Sequence, residues 1–62
     1  MKEITRDEAE ELFLNSDVVD TNVESDANGL LITTTLADNT SCTVKYDSDD
    51  HSKSYYFEDH ND

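Results

Sequence analysis

The sequence has few of the residues that cross-link a chain or cross a membrane. Its 62 residues include one cysteine, Cys42, which excludes an internal disulfide and a thiolate zinc cluster. No apolar run approaches the roughly 20 residues that a membrane-spanning helix needs. The N-terminal segment, MKEITRDEAEE, lacks the apolar stretch of a signal peptide. These absences predict a cytoplasmic protein.

Basic residues are also scarce. Four Lys and Arg stand against 16 Asp and Glu, which gives a formal net charge of −12. A surface of this sign repels nucleic acid and anionic lipid and attracts basic proteins and divalent cations. We therefore expect no direct nucleic-acid partner and no membrane partner. Because such a composition is close to that of disordered chains, folding has to rest on the patterning of the residues.

Signatures of catalysis are missing as well. The sequence has no Gly-rich phosphate loop, no H-E-x-x-H motif and no second cysteine near a histidine. His51 and His60 are expected in a loop and a tail, where nothing excludes water. A chain this short leaves little room for a deep cleft beside its core. The sequence predicts a protein that is not an enzyme and that uses no cofactor.

The first element has the pattern of a capped helix. Thr5 and Glu8 match a capping box, in which each side chain accepts a hydrogen bond from the other residue's amide. Ala9, Leu12 and Phe13 follow at helical spacing and share one face. A helix of this length is marginal by itself, so we expect it to pack on a sheet.

The dipeptide Asn28-Gly29 predicts a β-hairpin, because both residues tolerate the positive φ of a type I′ turn. With these two residues as the loop, Val23 pairs with Thr34. A second loop at residues 38–40 pairs Thr34 with Val44. Turn and alternation agree on which side chains share a face.

These patterns predict an α+β fold in which one N-terminal helix packs on a four-stranded antiparallel meander, in two layers. We expect residues 1–62 to form a single domain. Its expected segments are a helix at about 6–15, strands at about 17–26, 30–36, 42–47 and 53–58, and a frayed tail at 59–62. The expected core contains Ile4, Ala9, Leu12, Phe13, Val19, Val23, Leu30, Ile32, Leu36, Val44, Tyr46, Tyr55 and Phe57.

Three acids lie two or four residues apart along the first hairpin strand. Asp20, Glu24 and Asp26 are expected on the face of the sheet that the helix does not cover. Alternate residues of a strand are roughly 6.6–6.8 Å apart, and duplex DNA carries one phosphate per roughly 3.4 Å of axis per strand. Carboxylates on a rigid sheet therefore resemble a row of phosphates. The alternative is an acidic surface that only aids solubility or reflects adaptation to salt.

A loop with three more acids, Asp47, Asp49 and Asp50, extends this charge, and Tyr56 on the same face is the expected anchor. The predicted partner-binding set is thus Asp20, Glu24, Asp26, Asp47, Asp49, Asp50 and Tyr56. The loop partly matches a calcium loop, with Glu58 at its twelfth position, but Ser52 stands where a glycine is needed. We assign no metal ligand, and weak divalent-cation binding remains an alternative.

The acids form three clusters, which are Asp7-Glu8-Glu10-Glu11, Asp20/Glu24/Asp26 and Asp47/Asp49/Asp50. In size and charge the chain resembles small acidic phage-encoded inhibitors of the anti-CRISPR and DNA-mimic type. Those proteins share no common fold, so no residue role carries over. The resemblance implies an inhibitor that occludes a basic, nucleic-acid-binding surface of a partner protein. The alternative is a small structural or homo-oligomerisation protein, such as a homodimer, whose acidity aids solubility.

Overall fold

A computed structural model describes residues 1–60 and shows five antiparallel strands and one helix. In chain order the elements are β1 (Lys2–Ile4), α1 (Arg6–Asn15), β2 (Val18–Asp26), β3 (Gly29–Leu36), β4 (Thr40–Asp47) and β5 (Lys53–Asp59). The strands lie side by side in the order β1-β5-β4-β3-β2. The third of the five, β4, is therefore central, and β1 and β2 are the two edges.

The helix begins at its predicted cap. The Thr5 hydroxyl accepts a hydrogen bond from the Glu8 amide at 3.2 Å, and the Glu8 carboxylate accepts one from the Thr5 amide at 3.1 Å. Two amides of the first turn are thereby satisfied. The helix ends before Ser16, whose backbone is extended and whose N–H still donates to the Leu12 carbonyl. The predicted helix at 6–15 is confirmed.

The first hairpin turn differs from the predicted one. Asp26 pairs with Gly29, so the two loop residues are Ala27 and Asn28. Neither has a positive φ, which excludes the type I′ turn. The Asp26 carboxylate accepts hydrogen bonds from the amides of Asn28 at 2.7 Å and Gly29 at 3.1 Å. Asp before the loop and Gly after it favour a type I turn, and this preference prevails over that of Asn-Gly.

The pairing of β2 with β3 and the pairing of β3 with β4 are each shifted by two residues from the predicted register. Val23 pairs with Ile32 instead of Thr34, and Thr34 pairs with Cys42 instead of Val44. Because side chains alternate with a period of two, a shift of two leaves every paired residue on its predicted face. The exception is the start of β2, where Val18 pairs with Leu36 and a bulge interrupts the ladder before Asp20.

The predicted fold class, a four-stranded meander with one face covered by a helix, is wrong in two respects. A fifth strand, β1, pairs with β5 through Lys2↔Phe57 and Ile4↔Tyr55. The helix lies against β5, near the β1 edge of the sheet, and leaves the side with β2 and β3 uncovered. No helix within residues 1–60 has the length and apolar character that crossing a membrane requires.

The core is correspondingly small. Its buried apolar residues are Ala9, Leu36 and Cys42, and the Cys42 thiol is completely buried, which raises its pKa. Several predicted core residues are exposed instead, namely Phe13, Val19, Val23 and Leu30. Phe13 lies on the helix, and the other three lie on β2 and β3, away from the strand that the helix contacts. The buried polar residues of the sheet all carry small hydroxyl side chains, and they are Thr34, Thr40, Ser41 and Thr43.

One carboxylate ties the end of the helix to the β3–β4 turn. Asp38 accepts hydrogen bonds from the Thr40 hydroxyl, from the Thr40 amide at 3.2 Å and from the Ser16 hydroxyl at 3.0 Å. These bonds, led by that from the Thr40 side chain, lower the pKa of Asp38. The Ala37 amide donates to the Asp17 carbonyl at 2.8 Å beside them.

The last strand extends one residue beyond the predicted end at 58, into the segment 59–62 that was expected to fray. Asp59 pairs with Thr40 as the last residue of β5. The His60 amide donates to the Asn39 carbonyl, and the Asn39 side chain donates to the His60 carbonyl, both at 3.1 Å. Residues 61–62 of the predicted tail lie outside the described residues.

Gly29 generates a prediction about stability. Its φ is +149°, and a Cβ built on it would lie 1.9 Å from the Tyr46 carbonyl oxygen, a backbone atom of the neighbouring strand. Gly29→Ala should therefore lower the free energy of unfolding by about 3 kcal/mol, measured by urea denaturation. Ala27→Ser in the same turn is the control and should change it by less than about 0.5 kcal/mol. Equal effects of the two substitutions would contradict the contact.

Candidate functional site

The pairing of the strands separates two faces of the sheet. The helix face carries the even-numbered residues of β3 and β4 together with Val23 of β2, and the side of the helix with Leu12 meets it near Phe57. The opposite surface, here called the acidic face, carries the even-numbered residues of β2 and the odd-numbered residues of β3 and β4. Within residues 1–60, no helix packs on the acidic face.

Three predicted site residues lie in one row on the acidic face. Asp20, Glu24 and Asp26 all belong to β2 and are exposed. The Asp20 carboxylate accepts a hydrogen bond from the neighbouring Thr21 amide at 3.0 Å. Among residues 1–60, the Glu24 carboxylate takes part in no hydrogen bond or ion pair. Glu24 is therefore the acid of this row that is most available to a partner.

The structure brings four of the predicted acids together around one groove of about 590 Å³ at the turn end of the sheet. Its walls include Glu24, Asp26, Asp47 and Asp49. Asp26 and Asp47 flank Gly29 in one row of the sheet, so their backbones lie two strand spacings, or roughly 10 Å, apart. Gly29 has no side chain to separate them, so the negative charges of Asp26 and Asp47 act on the same part of the surface.

Lys45 and Leu31 also line this groove. They pair across β3 and β4 next to Glu24, so one cation lies among the carboxylates. Leu30 and Tyr46 reach the groove as well, although alternation had assigned them to the core. Their position follows from how little of the sheet the helix covers, which no local pattern indicates.

Two further acids, Glu3 and Glu58, lie on the acidic face, because Glu3 pairs with Tyr56 and Glu58 pairs with Ser41.

The β4–β5 loop orders its own acids. The Asp47 carboxylate accepts from the Asp49 amide at 2.8 Å, and the Asp50 carboxylate accepts from the Ser52 amide at 2.9 Å. The bonds to Ser52 lower the pKa of Asp50. His51 has a φ of 60°, and its ring hydrogen-bonds the Tyr46 hydroxyl at 3.0 Å. Asp50 is exposed but is not part of the groove wall.

The loop does not form a cation site in the part of the chain that the structure describes. Within residues 1–60, no three His, Cys, Asp or Glu side chains converge as metal ligands. Asp47 and Asp50 satisfy backbone amides of their own turns, and Glu58 lies on β5 opposite Ser41.

Tyr56 and Asp20 lie away from the groove. Tyr56 is half-buried on the acidic face, in the row of Thr43 and Glu3. Asp20 lies opposite Thr35 near the other end of β2. The predicted binding residues therefore occupy separate regions. The groove acids lie at the turn end of the sheet, and Tyr56 lies near the middle of β5.

A Ser-His-Glu arrangement lies at the end of β5. The Ser41 hydroxyl is 3.1 Å from His60 Nε2, and His60 Nδ1 is 3.9 Å from the Glu58 carboxylate. The order of atoms is that of a catalytic triad. Ser41, however, is only 4% exposed, so a substrate has no access to its hydroxyl. These contacts hold the end of the chain against the sheet.

Comparisons with protein-family models, with curated proteins and with solved structures give no match to this chain.

The two neighbouring acids of the groove should differ in their effect on stability. Asp26→Ala removes two hydrogen bonds from the turn and should lower the free energy of unfolding by about 1–2 kcal/mol. Glu24→Ala removes no such bond and should change it by less than about 0.5 kcal/mol. Both substitutions remove one negative charge, so the effect of net charge is matched. Urea denaturation at constant salt measures the difference, and equal losses would contradict it.

Proposed function

We propose that this protein is an acidic binding module that lays its acidic face on a basic surface of a partner protein. The partner's surface is one that binds nucleic acid, so the module acts as an inhibitor of the DNA-mimic or anti-CRISPR-like kind. The observation that supports this best is the row of exposed carboxylates on β2 continued by Asp47 across Gly29. The proposed binding residues are Asp20, Glu24, Asp26, Asp47, Asp49, Asp50 and Tyr56.

The charges are placed to act outward. Glu24 and Asp26 are two residues apart on β2, or roughly 6.6–6.8 Å along the strand. Asp20 lies four residues before Glu24, and the pairing of β2 with β3 fixes the positions of all three. Fixed charges of one sign attract a basic surface over about one Debye length, roughly 8 Å at physiological salt. Association should accordingly be fast and should weaken as salt is added. The proposal includes no catalytic step and no cofactor.

The proposal places the protein in the cytoplasm, in contact with a basic protein and not with nucleic acid itself. A net charge of −12 repels phosphate. The single thiol, Cys42, is completely buried and unpaired with another cysteine, which suits a reducing compartment.

Charge reversal on the acidic face tests the proposal. Asp20→Lys/Glu24→Lys should weaken the capture of basic nucleic-acid-binding proteins from a host-cell lysate by about tenfold or more, because each change replaces an attraction with a repulsion. Captured proteins are quantified by mass spectrometry at low and moderate salt. Release of the same proteins by added duplex DNA is the second readout, because a mimic and DNA compete for one surface.

The matched control is Glu10→Lys/Glu11→Lys, which makes the same change in net charge on the exposed side of the helix. It should retain the captured proteins. If both double variants lose them equally, net charge and not the acidic face determines binding. If neither variant changes the captured set, the assignment of the face is wrong.

A second function is favoured by the uncovered part of the helix face. Val23 is 57% exposed and Leu30 40% exposed there, and apolar side chains on adjacent strands are the usual core of a homodimer interface. A structural homo-oligomer should associate more strongly as salt screens its negative charge. Sedimentation equilibrium at low and high salt distinguishes the two functions, because binding to a basic partner has the opposite salt dependence. A monomer at every salt concentration would contradict the oligomer.

A further inference from the structure

The strand β2 is an open edge of the sheet. It runs for nine residues, all of them exposed, and among residues 1–60 it is paired on one side only, with β3. An edge strand presents unpaired backbone N–H and C=O groups along its free side. The other edge, β1, has only three residues. If the sheet takes up another strand, β2 is the edge with room for it.

The two faces of β2 have opposite chemistry. Asp20, Glu24 and Asp26 lie on the acidic face, and Val23 lies on the helix face. Val23 adjoins Ile32, with which it pairs, and the exposed Leu30. A strand added beside β2 would thus meet carboxylates on one face and extend an apolar strip on the other.

A second copy of the chain is a poor occupant of this edge. In an antiparallel pair of β2 strands centred on Asn22, Asp20 of each copy lies opposite Glu24 of the other. Like charges directly opposite each other destabilise a strand pair. Each copy also brings a net charge of −12. The edge therefore favours a chain of opposite charge.

We propose that the β2 edge binds an extended segment of a partner protein in which Lys or Arg alternates with apolar residues. The segment adds to the sheet as a sixth strand. Its basic side chains lie against Asp20, Glu24 and Asp26, and its apolar side chains continue the strip of Val23. This inference rests on the proposed function in one respect, that the partner is basic, and adds how it is bound.

The geometry limits the length of the bound segment. The bulge between Val18 and Asp20 breaks the regular ladder at one end, and the turn after Asp26 ends it at the other. About seven residues, opposite 20–26, can therefore pair in continuous register. The peptide backbone supplies hydrogen bonds, and the alternation of its side chains supplies the selectivity.

The probe is a nine-residue peptide with capped ends in which Lys and Val alternate. Two modified peptides carry N-methyl groups on every Lys amide or on every Val amide, which blocks the donors along one side of the extended peptide. A control peptide has the same composition with the Lys and Val residues in two blocks. Binding to the full-length protein is measured by isothermal titration calorimetry at low salt.

We expect the alternating peptide to bind at least about tenfold more tightly than the block peptide. One of the two methylation patterns should weaken binding by at least about tenfold, and the other should not, because only one side of a strand bonds to an edge. Amide hydrogen exchange should slow in β2 and not in β1. Equal binding of the unmodified peptide and both methylated peptides would overturn the inference.

Charge variants separate this inference from the proposed function. Asp20→Lys/Glu24→Lys should weaken the alternating peptide by about tenfold, and Glu10→Lys/Glu11→Lys should not. If methylation has no effect but the β2 variant weakens binding, the acidic face binds without strand addition and only the inference fails. If methylation acts as expected but the β2 variant binds unchanged, strand addition is correct and the electrostatic proposal fails.

Discussion

The structure depends on the backbone ladder around β4, the central strand of the sheet, which pairs with β3 and β5 over most of its length. A chain of 62 residues with a net charge of −12 has little apolar material and strong self-repulsion. Among residues 1–60, the buried apolar residues are only Ala9, Leu36 and Cys42. The buried first half of β4, residues 40–43, consists of small side chains, three of which carry hydroxyls. Sheet pairing therefore contributes what a large core supplies in bigger domains.

The acidic residues of this protein have two different roles. Asp26 and Asp38 accept hydrogen bonds from backbone amides and hold turns in place. Glu24 contributes no such bond within residues 1–60 and is exposed. Charge in this protein is thus used twice, once to satisfy turn amides and once as an outward field. Substituting Asp26 or Asp38 therefore removes hydrogen bonds as well as a charge, whereas substituting Glu24 removes only a charge.

The helix and the choice of faces were predictable because their determinants are local. The Thr5–Glu8 capping box defines the start of the helix, and alternation defines the faces even where the register is shifted by two residues. The fifth strand was not predictable, because β1 has three residues and pairs with β5, more than fifty positions away in the chain. The core was overestimated because the hydrophobic pattern does not show how much of a sheet one short helix covers.

The sequence by itself determined the charge, the capped helix, the two hairpins and the face on which Asp20, Glu24 and Asp26 lie. Each of these follows from composition or from contacts between residues that are close in the chain. Only the tertiary structure decided that Asp47 and Asp49 join Glu24 and Asp26 around one groove. It also left Val23 exposed and, within residues 1–60, left the outer side of β2 without a neighbouring strand. Both depend on pairing between distant strands and on where the helix packs, which no local pattern encodes.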